Sequence, residues 1–209
     1  MRHLWIGLIV TLSACDDGGN KGKATCPDGF LDAGDGACEP DDAVTVTTDG
    51  QGTASGTYGG GSTFAHIERV AVDHDAALEA HNIVRAAKGL TPFTHDDRLA
   101  EASEMWSVKL ADEGCDLIHS DGSWGENLYW TSGTATSAQP VESWASEEAF
   151  YDYETNTCTP GEQCGHYTQI VWDSTQRVGC GAAKCAGGGG EVWTCRYDPP
   201  GNWVGEWPY

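Results

Sequence analysis

The sequence predicts an α+β fold, a sandwich of helices and strands that follows a flexible N-terminal stalk. Segments with helical periodicity and segments rich in strand-forming residues both lie after residue 73, and the two kinds do not alternate regularly. The residues before 73 are instead rich in Gly, Thr, Ser and Asp. A chain of 209 residues is long enough for one mid-sized domain with extensions.

The first fifteen residues are typical of an export signal. Arg2 precedes an apolar run, too short to span a bilayer, and small residues lead to Cys15. The segment "LSAC" resembles the lipobox of bacterial lipoproteins, whose cysteine is acylated. We therefore expect residues 1–14 to be a lipoprotein signal peptide and Cys15 to anchor the exported protein to the cell envelope, facing the periplasm or the cell surface. A plain secretory signal with an incidental cysteine and an extracellular product is the alternative.

Residues 15–72 are expected to form a stalk of three parts. Residues 15–25 include "DDGGNKGK" and are interpreted as a flexible tether. Residues 26–40 are interpreted as a small disulfide loop, because Cys26 and Cys38 bracket a Gly- and Asp-rich segment; its carboxylates lack the spacing of a calcium-binding EF-hand. Residues 41–72 begin with a Gly-, Ser- and Thr-rich stretch without Lys or Arg and are interpreted as a linker.

The charge of the chain argues against one class of partner. The formal charge is −21 at pH 7, and removal of residues 1–14 takes away Arg2 but no acid. A surface this acidic repels phosphates, so nucleic acid is not an expected partner. It also repels anionic headgroups, so attachment to a bilayer is expected through acyl chains on Cys15 and not through a basic face.

The cysteines indicate a disulfide framework. The chain has nine, and eight remain when Cys15 is set aside. An even number in an exported chain is typical of disulfide pairing. A zinc site made of thiolates would need cysteine pairs at short spacing, whereas these are scattered through predicted strands and loops.

Three helices are expected from residue 73 onward. The first runs from a cap at Asp73 or Asp75 to a stop at Gly89, and the second ends at Gly114. Their apolar faces are predicted to be Ala77, Ala80, Val84 and Ala87 in the first, and Leu99, Ala102, Trp106 and Leu110 in the second. A third helix is expected in "PVESWASEEAFYDY", because Pro140 suits a first helical turn.

Three further segments are expected to be strands: "GENLYW", "RVGCGAAKC" and "EVWTCRYDP". The glycine run Gly187–Gly190 lies between the last two and is expected to turn a hairpin. The final residues, "PPGNWVGEWPY", are expected to pack as a closing strand and tail.

Several ordered motifs across residues 73–209 resemble one known family. "AHNIVRAAKGLTPF", "CDLIHS", "GENL", "CGHYTQIVW", "RVGC" and "YDPPGNWVGEWPY" resemble the CAP superfamily of cysteine-rich secretory, antigen 5 and pathogenesis-related 1 proteins, in particular its plant pathogenesis-related branch. The resemblance implies a three-layer α-β-α sandwich as a CAP domain over 73–209, with a cleft that holds two histidines and two acids. Matched motif by motif, these four are His119, Glu126, Glu147 and His166. The disulfides implied are Cys115–Cys185, Cys180–Cys195 and Cys158–Cys164, which leaves Cys26 for Cys38.

The four cleft residues are candidates for metal binding. Imidazole nitrogens and carboxylate oxygens bind zinc when two or three of them converge, so His119 and His166 are the expected ligands of zinc or another divalent ion that folding does not require. The same acids could instead keep the histidines protonated in a wet cleft. On an ideal helix Glu148 suits the cleft as readily as Glu147, and only the family motif favours Glu147.

The remaining histidines receive structural interpretations. His81 is expected to pack or to form a hydrogen bond within the first helix, whereas His66 and His74 are expected to face solvent. His95 stands where the family resemblance implies a tryptophan, so helix packing is expected to differ there.

Aromatic residues suggest a second class of ligand. They could line an apolar groove for lipid or sterol, as in some relatives, although such residues more often belong to the core. The set comprises Tyr129, Trp130, Trp144, Phe150, Tyr151 and Tyr153.

Catalysis is weakly indicated. Ser120 is adjacent to His119, a spacing that seldom gives the geometry of a serine and its base, and no G-x-S-x-G elbow occurs. The sequence therefore favours an exported binding module for lipid, sterol or a divalent metal. The alternatives are a metal-dependent hydrolase or protease that uses the same cleft, and an adhesive or structural envelope protein.

Overall fold

A computed structural model describes residues 67–209 in full, together with the backbone of five strands that begin before residue 67. The helices are α1 (His74–Ala87), α2 (Asp97–Asp112), α3 (Gln139–Ala145) and α4 (Gly165–Ile170), with short 3₁₀ helices at Ser146–Phe150 and Ala186–Gly188. The strands are β1 (Phe30–Asp32), β2 (Cys38–Pro40), β3 (Val44–Thr48), β4 (Thr53–Tyr58), β5 (Thr63–Glu68), β6 (Thr94–His95), β7 (Gly125–Thr131), β8 (Tyr151–Asp152), β9 (Thr157–Cys158), β10 (Arg177–Lys184) and β11 (Glu191–Asp198).

A four-stranded sheet in the order β6-β10-β11-β7 forms the centre of the domain. β6 runs parallel to β10, and the other neighbours are antiparallel. The Gly187–Gly190 run lies in the connection between β10 and β11, which confirms the predicted hairpin. Among the described strands β7 has one neighbour, β11, so its other edge is open.

The two faces of this sheet carry two separate apolar cores. On one face α2 packs over the sheet, and Trp106 and Leu110 belong to that core. On the other face α1, α3 and α4 pack against the sheet, and Trp144, Ile170 and Tyr197 belong to that core. The result is a three-layer α-β-α sandwich, which confirms the predicted fold class.

Helix α2 approaches β10 closely because two strand positions that face it are glycine. A Cβ atom at Gly179 or Gly181 would overlap backbone atoms of the helix. Two helix serines use the short separation: Ser103 Oγ donates to the carbonyl of Gly179 (2.8 Å) and Ser107 Oγ to that of Gly181 (3.1 Å). The predicted apolar face of this helix is buried throughout: Leu99, Ala102, Trp106 and Leu110.

Helix α1 begins and ends as predicted, but its buried face is partly polar. The Asp73 carboxylate caps the first turn, and Gly89 takes a positive φ just beyond the end. The predicted face is wrong at Ala87, which is exposed, whereas His81 and Arg85 are fully buried. A pattern of apolar residues cannot reveal polar side chains that find hydrogen-bond partners inside the protein.

Backbone carbonyls hold the buried Arg85. Its guanidinium donates to the carbonyls of Thr91 (2.7 Å), Ile170 (2.9 Å) and Trp172 (2.8 Å). It also lies over the ring of Phe93, 3.9 Å from the centroid. Burial lowers the pKa of Arg85 to about 10, so the group stays charged and ties α1 to the chain that follows α4.

The folded domain begins earlier than residue 73. Ile67 is buried in the core beneath α2, and Arg69 forms a β-bridge with Ala183. The backbone N–H of Val70 donates to the carbonyl of Ala182 (3.0 Å). The prediction that 41–72 is only a linker is therefore wrong at its end, because these residues extend the edge of the sheet. The backbone of β3, β4 and β5 within this segment also forms a three-stranded antiparallel sheet.

Three disulfides confirm the pairings that the family resemblance implies. They are Cys115–Cys185, Cys158–Cys164 and Cys180–Cys195. The remaining pairing, Cys26 with Cys38, lies outside the described part of the chain. So do four other predictions: the signal peptide, the anchor at Cys15, the tether and the solvent-facing side chain of His66. The backbone of β1 and β2 pairs antiparallel within the predicted loop 26–40.

The C-terminal residues pack against the domain but form no strand after Asp198. Trp207 Nε1 donates to the carbonyl of Tyr153 (2.9 Å), and the ring of Tyr209 stacks on that of Tyr153 at 4.6 Å. The expected closing strand is therefore wrong, and the expected packing of the tail is right. Within the described residues, no helix is long and apolar enough to cross a membrane.

Candidate functional site

An open cleft of about 410 Å³ lies at the free edge of β7, between the loop after α2 and the start of α4. Its walls include Leu117, His119, Glu126, Asn127, His166 and Asn202. Successive side chains of a strand point to opposite faces, so Glu126 and Asn127 reach the two sides of the same edge. The cleft therefore joins the two helical layers across the sheet.

His119 and Glu126 form the first half of the site. His119 Nδ1 lies 2.8 Å from Glu126 Oε1, and the carboxylate also accepts from the backbone N–H (3.0 Å) and hydroxyl (2.7 Å) of Ser120. Arg196, opposite Glu126 in the β7–β11 pairing, lies 3.4 Å from the second oxygen. The Glu126 side chain is 6% exposed and that of His119 is 60% exposed. The carboxylate is thus fixed, and the imidazole is open to solvent.

The hydrogen bond between His119 and Glu126 favours the charged form of each group. The hydrogen bond with Glu126 raises the pKa of His119 above its ordinary value. Burial opposes ionisation of Glu126, but its hydrogen bonds with His119 and Ser120 and the charge of Arg196 together lower its pKa. The predicted alternative of a protonated histidine in a wet cleft therefore has physical support at His119.

His166 and Glu147 form the second half of the site. His166 Nδ1 lies 2.6 Å from Glu147 Oε1. The other oxygen, Oε2, accepts from the backbone N–H groups of His166 (3.0 Å) and Tyr167 (3.2 Å), in the first turn of α4. Glu147 therefore caps this helix and orients its histidine at once.

The structure distinguishes Glu147 from Glu148. The predicted third helix ends at Ala145 and tightens into a 3₁₀ turn over Ser146–Phe150, so the angular positions of an ideal α-helix no longer apply. Glu147 contacts His166, whereas Glu148 forms an ion pair with Lys88 (2.5 Å).

A buried hydrogen-bond chain that sequence reasoning missed supports His166 from beneath. His81 Nδ1 lies 2.8 Å from the carbonyl of Ala77, so this nitrogen must carry the proton and Nε2 must accept. Tyr197 OH therefore donates to Nε2 (2.9 Å). The amide of Asn127 donates to Tyr197 OH (3.1 Å) and to the carbonyl of His166 (3.1 Å). The one sequence signal was Asn127 itself, a residue type uncommon in strands.

The donor set fits a weak, two-imidazole metal site. Nδ1 of each cleft histidine lies within hydrogen-bond distance of a carboxylate oxygen. Nε2 is therefore the ring atom that can ligate a metal, and the two acids orient the rings. Within the described residues, no three side chains of His, Cys, Asp or Glu are arranged to hold one metal ion. His119 and His166 would hold a metal, and solvent would complete its coordination.

The structure does not bring the predicted aromatic groove together. None of the six aromatic residues lines the cleft. Trp144 lies on the buried face of α3, and its Nε1 donates to the carbonyl of Leu128 (3.0 Å). Trp130 Nε1 donates to the carbonyl of Gly189 in the β10–β11 connection (3.1 Å). Tyr153 packs on Tyr209 of the tail. These residues serve as core and rim positions.

Comparison with known proteins identifies the family. Residues 78–197 match the cysteine-rich secretory protein family, CAP. The chain belongs to that family. Pathogenesis-related protein 1A of Nicotiana tabacum is 48% identical over 133 residues, which cover 63% of this chain and 78% of that protein. Pathogenesis-related protein 1 of Arabidopsis thaliana is 44% identical over 132 residues, 63% of this chain and 80% of that protein.

Solved CAP structures have the same fold. Venom allergen-like protein 4 of Schistosoma mansoni superposes with a TM-score of 0.52 at 25% identity, over 67% of this chain and 95% of that one. NaASP2, whose crystal structure was solved with Zn²⁺, superposes with a TM-score of 0.52 at 23% identity, over 65% of this chain and 83% of that one.

Proposed function

We propose that this CAP protein is an exported binding module whose cleft holds a divalent cation between Nε2 of His119 and Nε2 of His166. The observation that carries the proposal is the matched pairing of each Nδ1 with a carboxylate, Glu126 on one side and Glu147 on the other. Such pairing fixes the ring and strengthens the opposite nitrogen as a ligand. The crystal structure of NaASP2 with Zn²⁺ adds support by analogy.

Calorimetric titration with zinc tests this proposal. We expect weak binding by the wild type, nearer micromolar than the tight binding of structural zinc sites, because two imidazoles do not complete a coordination shell. His119→Ala and His166→Ala should each abolish binding at the cleft. Glu148→Ala is the matched control, since Glu148 pairs with Lys88 and should leave zinc affinity unchanged. Equal zinc binding by the wild type and the double histidine variant would leave the four residues as a polar cluster without a metal.

The geometry gives less support to the metal-dependent hydrolase. The Ser120 hydroxyl donates to Glu126 and not to His119, so the serine–histidine pair of a nucleophilic hydrolase is not formed in this arrangement. Turnover of a peptide or ester substrate that disappears on chelation and in His166→Ala would favour the hydrolase. Surface retention without turnover or ligand binding would favour the adhesive alternative.

A lipid or sterol is the second candidate ligand, favoured by one observation. Leu117 lines the cleft and is 48% exposed, and its neighbour Ile118 is also exposed. An exposed apolar rim beside a cleft is typical of a ligand site. Leu117→Ser should therefore weaken binding of a fluorescent sterol, whereas Trp130→Ser, which lies outside the cleft wall, should not. Unchanged sterol binding in Leu117→Ser would exclude this rim.

Export and anchoring form a separate part of the proposal. The three disulfides support an oxidising compartment, and "LSAC" supports acylation of Cys15. Cys15→Ser should move the protein from the detergent phase to the soluble fraction, while Ser13→Ala, which keeps the cysteine, should not. Membrane retention of Cys15→Ser would contradict the anchor.

A further inference from the structure

A second cavity, of about 320 Å³, lies where the chain enters the domain, between residues 69–74 and the first turns of α2. Its wall includes Arg69, His74, Asp97, Glu101 and Glu104, and none of these lines the cleft at β7. The proposed cleft function makes no use of this cavity.

Two imidazoles meet beside this cavity. The ring of His74, the first residue of α1, lies 4.6 Å from that of His95 in β6, centroid to centroid, with 38° between the planes. A zinc ion sits about 2.0–2.1 Å from each ligating nitrogen, so two neighbouring imidazoles can share one ion once their side chains turn a nitrogen of each ring toward it. The His74 side chain is exposed, as the sequence predicted, and is accessible to an ion from solvent.

The neighbouring groups suit a cation. His95 Nε2 lies 3.1 Å from Asp97 Oδ1, the same carboxylate–imidazole pairing that occurs twice in the cleft, and it leaves Nδ1 as the second nitrogen. The wall carries three carboxylates and one guanidinium, and that guanidinium, Arg69, is paired with Glu104. The local charge is thus negative, which raises the local concentration of divalent cations.

We propose that His74 and His95 form a second divalent-metal site, for zinc or copper(II), with Asp97 orienting His95 and the carboxylates of Glu101 and Glu104 supplying negative charge. Imidazole nitrogen is a preferred ligand of both ions. Because α1 supplies one ligand and the edge strand β6 the other, an ion here would join the start of the first helix to the sheet. The site does not depend on the cleft.

Zinc stoichiometry at about pH 7.5, above the ordinary imidazole pKa, tests the proposal. Three forms are compared with the wild type: His74→Ala/His95→Ala, His119→Ala/His166→Ala, and the combination of all four changes. We expect each double variant to lose one equivalent of zinc and the fourfold variant to lose both. Because His74 is exposed and His95 is partly exposed, metal-free thermal unfolding should change little, which checks that the variants fold.

A wild-type zinc stoichiometry in His74→Ala/His95→Ala would overturn the second site. If only that variant loses an equivalent while His119→Ala/His166→Ala binds normally, the second site stands and the cleft proposal fails. Copper(II) electron paramagnetic resonance on His119→Ala/His166→Ala gives an independent readout. Coupling to two imidazole nitrogens is expected, and coupling to fewer would contradict the proposal. The matched spectroscopic control is Asp121→Asn in the same background, which should leave the spectrum unchanged.

Discussion

Glu147 performs two tasks with one carboxylate. It accepts hydrogen bonds from the backbone N–H groups of His166 and Tyr167 and holds the His166 ring at Nδ1, with the carboxylate 13% exposed. A carboxylate with several donors in a largely buried position stabilises the fold and the site together. Glu148, its neighbour, has one ion pair at the surface.

We predict that Glu147→Gln lowers the free energy of unfolding by about 1–3 kcal/mol, the cost of weakening buried hydrogen bonds to a charged acceptor. The same change should weaken zinc binding at the cleft by about 10–100-fold, the usual effect of losing an orienting carboxylate. Urea unfolding and calorimetry measure the two effects. Glu148→Gln is the isosteric control, and its ion pair should contribute about 1 kcal/mol or less. Equal effects of the two substitutions would show that Glu147 has no special role.

His81 makes the stability of the protein depend on pH. Burial lowers its pKa to about 4, from an ordinary 6.5, and it enters the fold as a neutral acceptor for Tyr197. The unfolded chain therefore binds a proton more readily than the folded one between these two pH values. The stability is complete above about pH 6.5 and declines as the pH falls toward 4, by about 3 kcal/mol in all.

His81→Gln should remove this part of the pH dependence, because the amide can accept from Tyr197 but does not titrate in this range. Chemical unfolding of both proteins between pH 4 and 7 measures the difference in slope, and the carboxylates common to both cancel. Parallel pH profiles would mean that His81 is not buried as a neutral group.

At the scale of single residues, the sequence predicted only part of the candidate site. His119, Glu126, Glu147 and His166 followed from the family motifs, and no periodicity would have grouped residues so far apart in the chain. The chain of hydrogen bonds through Asn127 and Tyr197 was not predicted, because it joins residues as far apart as 116 positions. Such pairs become visible only when strand register and helix packing are known.

At the scale of elements, the close contact between α2 and β10 depends on two glycines. Strand glycines usually weaken a sheet, yet here the absence of Cβ at Gly179 and Gly181 lets the helix backbone reach the strand. The sequence predicted both elements from their patterns and the apolar face of the helix. It did not predict their separation, which depends on which strand face the glycines occupy.

We predict that Gly181→Ala lowers the free energy of unfolding by about 1–3 kcal/mol or more, because the new methyl group overlaps backbone atoms of Glu104. Gly133→Ala is the control, since a Cβ there meets nothing within 4 Å, and its effect should stay within about 0.5 kcal/mol. The urea midpoints of the two variants provide the comparison. A normal midpoint for Gly181→Ala would show that α2 can shift away without cost.

At the scale of the whole molecule, the disulfides fix the segments of the layers that carry the cleft. Cys115–Cys185 fixes the chain at the end of α2, four residues before His119, and Cys158–Cys164 fixes the chain two residues before His166. Cys180–Cys195 joins directly paired residues of β10 and β11. Each half of the site is therefore held by one bridge, and the sheet between them by the third. Counting cysteines predicted a framework, but only the family resemblance gave the connectivity.

The sizes of the closed loops predict a rank order of stability. The separations are 70 residues for Cys115–Cys185, 15 for Cys180–Cys195 and 6 for Cys158–Cys164. If restriction of the unfolded chain dominates, replacing each pair by serine should lower the free energy of unfolding by about 4, 3 and 2 kcal/mol respectively. Chemical unfolding of the three double-serine variants, without reductant, measures the order. A larger loss for Cys158→Ser/Cys164→Ser than for Cys115→Ser/Cys185→Ser would contradict the chain-entropy argument. It would show that the short bridge stabilises the native start of α4, where Glu147 and His166 meet.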